Sequence, residues 1–454
     1  MRYIKVNSII KLFFLLVGCF TVQRYTLSNF YSVACALPYL LFVVNIYRGN
    51  RNLALCSLFI ALLAIVDNGG LIYTETPKVL RYVIYVSALL YIIGESCRLR
   101  VSRLIYFSSF IVLILAITLY KASNSPQNFS TVVDDVFILL LSLFVFSSEV
   151  TKKQNNFNSS QFLEYVFVFT LSILVFELVN ALIFFDITEG YLNYQSTKSI
   201  VVFPFLYLFF LRKYFLSGVL FLLTLLILVF YVTRMIVLSL FSLIFIYLFV
   251  QLSKARIIFK ILKKSWVLFI FLAMTLAVPS SDSDNSLSPK DYKLTAMFVA
   301  FMDSNDFQST LRTLDPVRYT ELIIIYEQPL FNTLFGNGLG ATYYDRSNLF
   351  SFVGYDDFAF SKEEIRNGVF FNFHDLWSDT TYRFGILSVV FFLIFVISNF
   401  KSPDRLTRLL AAIAFIFSLC AFWSKSGILC LFIFVLLIKT RNSLTKMESK
   451  RAQI

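Results

Sequence analysis

The sequence predicts an all-α polytopic membrane protein with about fourteen transmembrane helices. Hydrophobic residues make up 58% of the 454 residues and charged residues 15%. The mean hydropathy is +0.76, so the chain is more apolar than a typical soluble domain. Apolar runs long enough to cross roughly 30 Å of bilayer hydrocarbon recur along most of the chain. They are continuous rather than alternating, which is not the pattern of a transmembrane barrel. Because lipid offers no water to the backbone, these runs are expected to be helices.

Eleven predicted spans precede the longest polar stretch and three follow it. The first group lies near residues 8–21, 28–46, 52–66, 79–96, 102–120, 132–147, 160–186, 199–211, 214–231, 235–252 and 266–278. The second group lies near residues 384–400, 409–422 and 427–439. The chain therefore divides into the first eleven spans (1–278), a large loop (279–383), and the last three spans with a basic tail (384–454).

The net charge of +13 follows the predicted topology. With the N-terminus inside, about 24 of the 40 basic residues fall on the cytoplasmic side and about 7 in the short outer loops. The positive-inside rule thus places both termini in the cytoplasm and the large loop on the outer face. A charge that tracks topology in this way argues against nucleic acid as a partner.

The six cysteines indicate neither a disulfide framework nor a thiolate metal site, because they lack metal-binding spacing and none lies in the large loop. They are Cys19, Cys35, Cys56, Cys97, Cys420 and Cys430. The first apolar run has no small-residue cleavage site, so we predict a retained span rather than a signal peptide.

The large loop of roughly 105 residues is far longer than an ordinary connection, which indicates a functional or disordered segment. Its start, "PSSDSDNSLSPKDYK", is predicted to be flexible. The later stretch "RYTELIIIYEQPLFNTLFGNGLG" has helical apolar spacing, a proline stop and a glycine turn. In that turn Gly336, Gly338 and Gly340 would supply positive φ. The spacing G-x-G-x-x-A does not indicate a dinucleotide site, since no strand pattern precedes it. We expect the loop to be partly helical and folded against the membrane surface.

Two charged residues interrupt apolar runs, where a charge is energetically costly and indicates a partner or a function. Arg234, in "YVTRMIV", is either a snorkelling residue at the outer membrane boundary or an anion clamp whose planar fork matches phosphate oxygens. Glu177, in "VFELVN", is either a helix-to-helix hydrogen-bonding group or part of the same cavity. Two pairs of aspartates carry oxygen atoms of the kind that bind a divalent metal. They are more simply explained as solvated loop residues, and no metal is predicted. These pairs are Asp282 with Asp284 and Asp356 with Asp357.

His374 is the sole histidine of the chain and lies about ten residues before the span at 384. This position places it near the headgroup level, close to where Arg234 emerges. An imidazole with an ordinary pKa of about 6.5 can accept a proton from a hydroxyl at neutral pH. Asp375 and Asp379 are near enough in sequence to hold the other ring nitrogen.

Three of the arginines in the loop are further candidates: Arg312, Arg318 and Arg383. A single loop arginine is usually just solvated. Several arginines converging at an outer membrane face would suit a lipid-linked phosphate.

As an ordered set, these residues resemble the O-antigen polymerase and O-antigen ligase (Wzy and WaaL) superfamily of bacterial membrane glycosyltransferases. The shared features are Arg234 at a span boundary, Arg318 before "LFGNGLG", and His374 followed eleven residues later by Gly385 at the start of a span. The family pattern at the histidine is H-N-x-x-L. This chain departs from it with Asp375 and with Ser378 at the last position.

The resemblance implies a GT-C-like fold in the bacterial inner membrane with a periplasmic loop. It implies transfer of a glycan from an undecaprenyl-pyrophosphate-linked donor to an acceptor hydroxyl, without a cofactor or metal. His374 would take the hydroxyl proton, and Arg234 with Arg318 would stabilise the leaving pyrophosphate. Membrane lipid is a further partner, and a chain-length regulator is left open.

Polymerases and ligases of this superfamily differ in their acceptor. A polymerase uses another lipid-linked repeat unit, and the large loop with its divergent histidine motif favours this choice; a ligase uses the lipid A core. A lipid-linked oligosaccharide flippase also has about fourteen apolar spans. Such a transporter needs charged cavities within the membrane but no large loop, so the few intramembrane charges here favour the enzyme.

Overall fold

The computed structural model describes residues 13, 15–17, 31–66, 78–95, 98–99, 101–122, 129–149, 159–184, 316–345, 347–350, 360, 362–371, 373–374, 376–420 and 424–451. This part of the chain is mostly helical, as predicted, and its elements are numbered here in chain order. The helices in the first half are α1 (Tyr31–Tyr47), α2 (Arg51–Val66), α3 (Lys78–Glu95), α4 (Val101–Ala122), α5 (Phe129–Ser147) and α6 (Ser159–Phe184). Those in the second half are α7 (Pro316–Tyr326), α8 (Leu330–Phe335), α9 (Lys362–Asn367), α10 (Leu376–Phe384), α11 (Ile386–Phe400), α12 (Arg405–Cys420) and α13 (Ser424–Arg451). The short strands are β1 (Arg98–Leu99), β2 (Ser148–Glu149), β3 (Tyr343–Tyr344) and β4 (Val369–Phe370).

Helices α1–α6, α11 and α12 match the predicted apolar segments in their regions to within a few residues, and α13 contains the last predicted segment. Two helical windows, Ser159–Phe176 and Gly427–Thr445, are long and apolar enough to cross a membrane by length and composition, and Ile386–Phe400 is among several shorter apolar helices. The four predicted segments between 199 and 278 lie outside the described residues. The count of about fourteen spans therefore stays a prediction.

An apolar core joins the helices on either side of the loop. Phe59 of α2 packs edge-to-face against Phe162 of α6, with ring centroids 5.8 Å apart, and against Phe434 of α13 at 5.4 Å. The run from Cys430 to Ile438 in α13 is buried throughout. Helix α13 is thus a central element of the bundle.

One end of the bundle carries the two paired strands. β1 follows α3 and precedes α4, and β2 follows α5; the strands pair antiparallel, with Arg98 opposite Glu149. The ammonium group of Lys439 on α13 donates to the carbonyl oxygens of Val145 (2.5 Å) and Phe146 (3.0 Å) near the end of α5. The basic second half of α13 therefore lies at this same end.

The basic tail is helical through Arg451, where the sequence predicts only that the span ends near residue 439. Polar contacts with α11 and α12 explain the extension. Arg441 Nε lies 3.0 Å from Asp404 Oδ2, and the Asn442 amide donates to Asn399 at 2.8 Å. Asp404 also accepts the backbone N–H of Thr407 at 3.0 Å, a capping contact at the start of α12.

The described part of the large loop folds around its own aromatic cluster, which we define by its buried members. These are Ile324, Ala341, Phe350, Phe360, Phe370, Phe373 and Tyr382. β3 and β4 form an antiparallel pair in which Tyr343 lies opposite Phe370. The ring of Phe370 lies 4.6 Å from that of Phe350 and 4.5 Å from that of Phe360. The predicted helix before the glycines is present as α7, which ends before Pro329.

The glycine turn, residues 336–340, packs on the end of the bundle opposite the paired strands. The N–H of Leu339 donates to Thr118 Oγ1 at 2.8 Å, and the N–H of Gly340 donates to Asp135 Oδ2 at 2.7 Å. Thr118 lies near the end of α4 and Asp135 near the start of α5. These contacts join the loop to one end of the helical bundle.

Candidate functional site

His374 and Glu321 form a buried hydrogen-bonded pair. Glu321 Oε1 lies 2.7 Å from His374 Nδ1 and accepts the backbone N–H of His374 at 2.9 Å. Glu321 is fully buried and His374 is 6% exposed. Because a carboxylate accepts this bond, the ring proton is assigned to Nδ1, and in the neutral imidazole the lone pair then lies on Nε2. The pair has the geometry of a base with an orienting acid.

Helix α7 positions Glu321 through an apolar stripe. Val317, Glu321 and Ile324 follow each other at four and three residues, so they share one side of the helix. Pro316 begins the helix, where a missing N–H costs nothing. Glu321 is a residue that the sequence analysis missed. Its signal is an acid on the apolar side of a predicted helix, where a buried carboxylate requires a partner.

The sequence predicts Asp375 or Asp379 as the partner of the histidine ring, and the structure gives this role to Glu321. Asp379, in the first turn of α10, instead accepts the backbone N–H of Phe373 at 3.1 Å. It therefore supports the histidine through the preceding residue. Asp375 lies outside the described residues.

Arg318 lies on α7 three residues before Glu321, and its side chain is partly exposed. Positions three apart are neighbours on a helix surface, so the guanidinium and the buried pair lie along adjoining parts of α7. Among the described residues, Arg318 is thus the predicted phosphate contact that lies on the same helix as Glu321.

The aromatic cluster encloses the imidazole. The Phe360 ring packs edge-on against the His374 ring with centroids 4.6 Å apart. The Tyr382 hydroxyl donates to the Thr342 carbonyl at 3.2 Å. Burial raises the pKa of Tyr343 to about 12 and also raises the pKa of Tyr382. Both phenols are therefore neutral at pH 7.

Arg383 is enclosed by two carboxylates. Its Nε lies 3.1 Å from both carboxylate oxygens of Asp379, its Nη1 donates to Asp135 Oδ2 at 2.9 Å, and its Nη2 donates to the Phe371 carbonyl. The side chain is 2% exposed. Burial acts to lower the pKa of the guanidinium, but the charges of Asp135 and Asp379 outweigh it and raise the pKa. We call these three residues the arginine triad.

The arginine triad changes the interpretation of Arg383. The sequence predicts a pyrophosphate contact, whereas the structure turns the guanidinium toward Asp379 and Asp135, so that it ties α10 to α5. Asp135 was missed by the sequence analysis. Its signal is the acidic pair in "TVVDDVF" at the start of an apolar run, since buried acids in such runs need partners.

Two glycines permit the close approach between the glycine turn and α10. Gly336 has φ 83° and ψ −179°, a conformation that is almost restricted to glycine. A Cβ at Gly336 would lie 2.1 Å from the Arg383 carbonyl oxygen, and one at Gly385 would lie 2.0 Å from the Leu334 carbonyl oxygen. Gly338 and Gly340 also have positive φ, as predicted.

The remaining predicted site residues are not brought into this site by the described structure. Arg234 and Arg312 lie outside the described residues, as do the aspartates at 282, 284, 356 and 357. For Glu177 the structure describes only its position within α6. Among the described residues, no group of three or more His, Cys, Asp or Glu side chains could hold a metal ion.

Comparison of the chain with protein-family models, with curated proteins and with solved structures found no match.

Proposed function

We propose that this chain is a bacterial inner-membrane O-antigen polymerase with about fourteen spans and a GT-C-like arrangement. It transfers a glycan from an undecaprenyl-pyrophosphate-linked donor to the hydroxyl of another lipid-linked repeat unit at the periplasmic face. The observation that carries the proposal is the buried pair of Glu321 and His374, with Nδ1 at 2.7 Å from the carboxylate. This pair leaves Nε2 as the basic atom, as a general base for a sugar hydroxyl requires.

The contacts of the glycine turn support the proposed topology. In that topology the end of α4 and the start of α5 face the periplasm. Thr118 and Asp135, which bind the turn, lie at those two ends. The basic second half of α13 and the paired strands lie at the opposite end, which the positive-inside rule assigns to the cytoplasm.

The proposed reaction breaks a glycosyl–phosphate bond and forms a glycosidic bond. The acceptor oxygen bonds to the anomeric carbon, and the bond from that carbon to the pyrophosphate oxygen breaks. His374 Nε2 takes the hydroxyl proton, while Glu321 stabilises the resulting imidazolium. Arg318 stabilises the negative charge that develops on the departing pyrophosphate. Arg234 and Arg312 are proposed to help at the same phosphates.

The test is the length of the polysaccharide in a deletion strain that carries His374→Asn. The asparagine amide can still donate to Glu321, so the buried carboxylate keeps a partner, but the variant has no basic nitrogen. We expect normal amounts of membrane-embedded protein and single repeat units attached to the lipid A core, with no ladder on the gel. Arg366→Ala, a change at an exposed loop residue, serves as the control and should give a normal ladder.

Three other results would contradict the proposed function. A bare core in the deletion strain would show a ligase rather than a polymerase, because no glycan would then reach the core. A normal ladder from His374→Asn would refute the role of the imidazole. In proteoliposomes, movement of the lipid-linked glycan across the bilayer without extension would identify a transporter.

A further inference from the structure

One surface of the loop exposes large apolar side chains. We define the apolar patch by Leu322 and Tyr326 on α7 and by Leu330 and Phe331 on α8, which are 47%, 88%, 74% and 53% exposed. Within the described residues between 316 and 384, these four are the exposed large hydrophobic residues. No residue of α8 is buried, although four of the six in "LFNTLF" are apolar.

The other side of α7 is already occupied. Glu321 and Ile324 are buried, against His374 and the aromatic cluster respectively. Leu322 and Tyr326 are four residues apart and share the outward side. A concentrated exposed patch of this kind indicates a binding surface. The described part of the loop therefore leaves the apolar patch uncovered.

The apolar patch borders a stripe on α11 that has the same character. Helix α8 packs against the start of α11, where the Gly385 backbone passes so close to the Leu334 carbonyl that a Cβ would not fit. From there an exposed apolar stripe runs along α11. Its members are Ile386, Val390, Phe391, Ile394 and Ile397, each at least 40% exposed. In a membrane-spanning α11 this stripe faces the lipid tails.

We propose that the apolar patch lies in the outer leaflet of the bilayer and anchors the loop there. The partner is the lipid surface, because the apolar patch continues the α11 stripe outward at the point where the stripe reaches the membrane boundary. Tyr326 and Phe331 are amphipathic or aromatic side chains of the kind that favour the interface. Short apolar helices that lie in this plane bury their apolar side among headgroups and upper acyl chains.

The anchor gives Arg318 a defined depth. At about 100° per residue, Arg318 lies about 60° around the α7 axis from Glu321, and Leu322 lies about 100° away in the same direction. The arginine is therefore between the buried pair and the apolar patch. With the patch in the lipid, the guanidinium lies at headgroup level, where the phosphates of a polyprenyl donor are found. This inference rests on the proposed membrane topology and is independent of glycosyl transfer.

The test is photocrosslinking of the full chain in native membranes. Benzoyl-phenylalanine replaces Phe331 in cells whose phospholipids carry radiolabelled acyl chains, and ultraviolet light is applied. The positive control is the same substitution at Phe391 on the α11 stripe, and the matched control is exposed Arg366 on α9. We expect labelled lipid on the protein at positions 331 and 391, at least fivefold above position 366.

Three results would overturn the anchor. If position 391 is labelled and position 331 is not, the loop lies away from the bilayer although α11 spans it. If position 331 crosslinks to a protein instead of lipid, the patch is a protein interface. If neither position 331 nor position 391 is labelled, the membrane topology itself fails, and with it this inference. A loss of the polysaccharide ladder in His374→Asn alone would bear on the proposed reaction and not on the anchor.

Discussion

Two buried groups, one around His374 and one around Arg383, differ in what they can do, although these two residues are close in sequence. In the first, Glu321 holds an imidazole, whose ring nitrogens can bind or release a proton. In the second, the arginine triad holds a guanidinium that stays charged between Asp379 and Asp135. The first group can accept and release a proton, whereas the second can only hold α10 against α5.

The difference also shows in the partners that each group joins. The arginine triad links α10 to α5, and the Gly340 N–H of the glycine turn donates to the same Asp135 carboxylate. The Glu321 and His374 pair stays within the loop and is bordered by Arg318 at a partly exposed position. Burial of a charge near a candidate site therefore does not identify it as catalytic. The chemistry of the partner decides.

Removal of Arg383 gives the largest expected effect. Arg383→Met leaves two buried carboxylates without their cation, which costs about 3–5 kcal/mol. We expect little folded protein in detergent extracts, measured by size-exclusion chromatography of a fluorescent fusion. His374→Asn serves as the comparison and should elute as wild type does. A well-folded but inactive Arg383→Met protein would instead return this arginine to the predicted phosphate site.

The glycine turn gives the next largest effect. Gly336→Ala forces an alanine into a conformation that costs about 1–3 kcal/mol, and it adds a clash with the Arg383 carbonyl. Gly49→Ala is the matched control, because Gly49 also has positive φ (69°) but a Cβ there meets nothing within 4 Å. We expect a clearly lower melting temperature for Gly336→Ala than for Gly49→Ala. Equal melting temperatures would show that the turn does not pack on α10 as described.

Glu321→Gln tests the proton-moving pair and should spare the fold. The amide oxygen still accepts the ring N–H, but a neutral group no longer stabilises the imidazolium. We expect transfer to fall roughly ten- to a hundredfold, less than for loss of the base itself. Glu327→Gln, at an exposed residue just after α7, should leave the rate of transfer unchanged.

An unchanged rate of transfer in Glu321→Gln would make the buried pair purely structural.

Local patterns made the helices and the glycine turn predictable. The length and continuity of apolar runs depend on neighbouring residues only, so α2 to α6 fall within a few residues of their predicted limits. Positive φ at Gly336 likewise follows from local turn chemistry. The extension of α13 to Arg451 could not be predicted, because it depends on Asp404 across the bundle.

Ionic partners could not be predicted, because they join distant parts of the chain. His374 pairs with a residue 53 positions earlier, and Arg383 with one 248 positions earlier. A search near His374 in sequence finds Asp375 and Asp379 and misses Glu321. The sequence does mark the candidates, since acids on apolar helix faces must find a cation or a donor. The sequence does not show which partner each acid contacts.

A third ion pair, between Asp404 and Arg441, lies at the opposite end of the bundle. It allows a more exposed ion pair to be compared with the buried arginine triad. Its side chains are 12% and 29% exposed. Pairs that reach solvent contribute about 0.2–1 kcal/mol, and asparagine also caps helices well, so Asp404→Asn should lower stability by less than about 1 kcal/mol.

The pH dependence of Asp404→Asn follows from the pKa of the carboxyl group. Burial acts to raise the pKa of Asp404, but hydrogen bonds from Arg441 and Thr407 outweigh it, and the net pKa is lowered. The unfolded chain therefore binds this proton more readily than the folded one, so the stabilisation is present above about pH 4, the ordinary value, and is lost as pH falls below it. The difference in melting temperature between wild type and variant should accordingly shrink from pH 7 toward pH 3. A constant difference would show that the carboxylate charge contributes nothing, and that exposure to solvent has cancelled this ion pair while the enclosed arginine triad keeps its full effect.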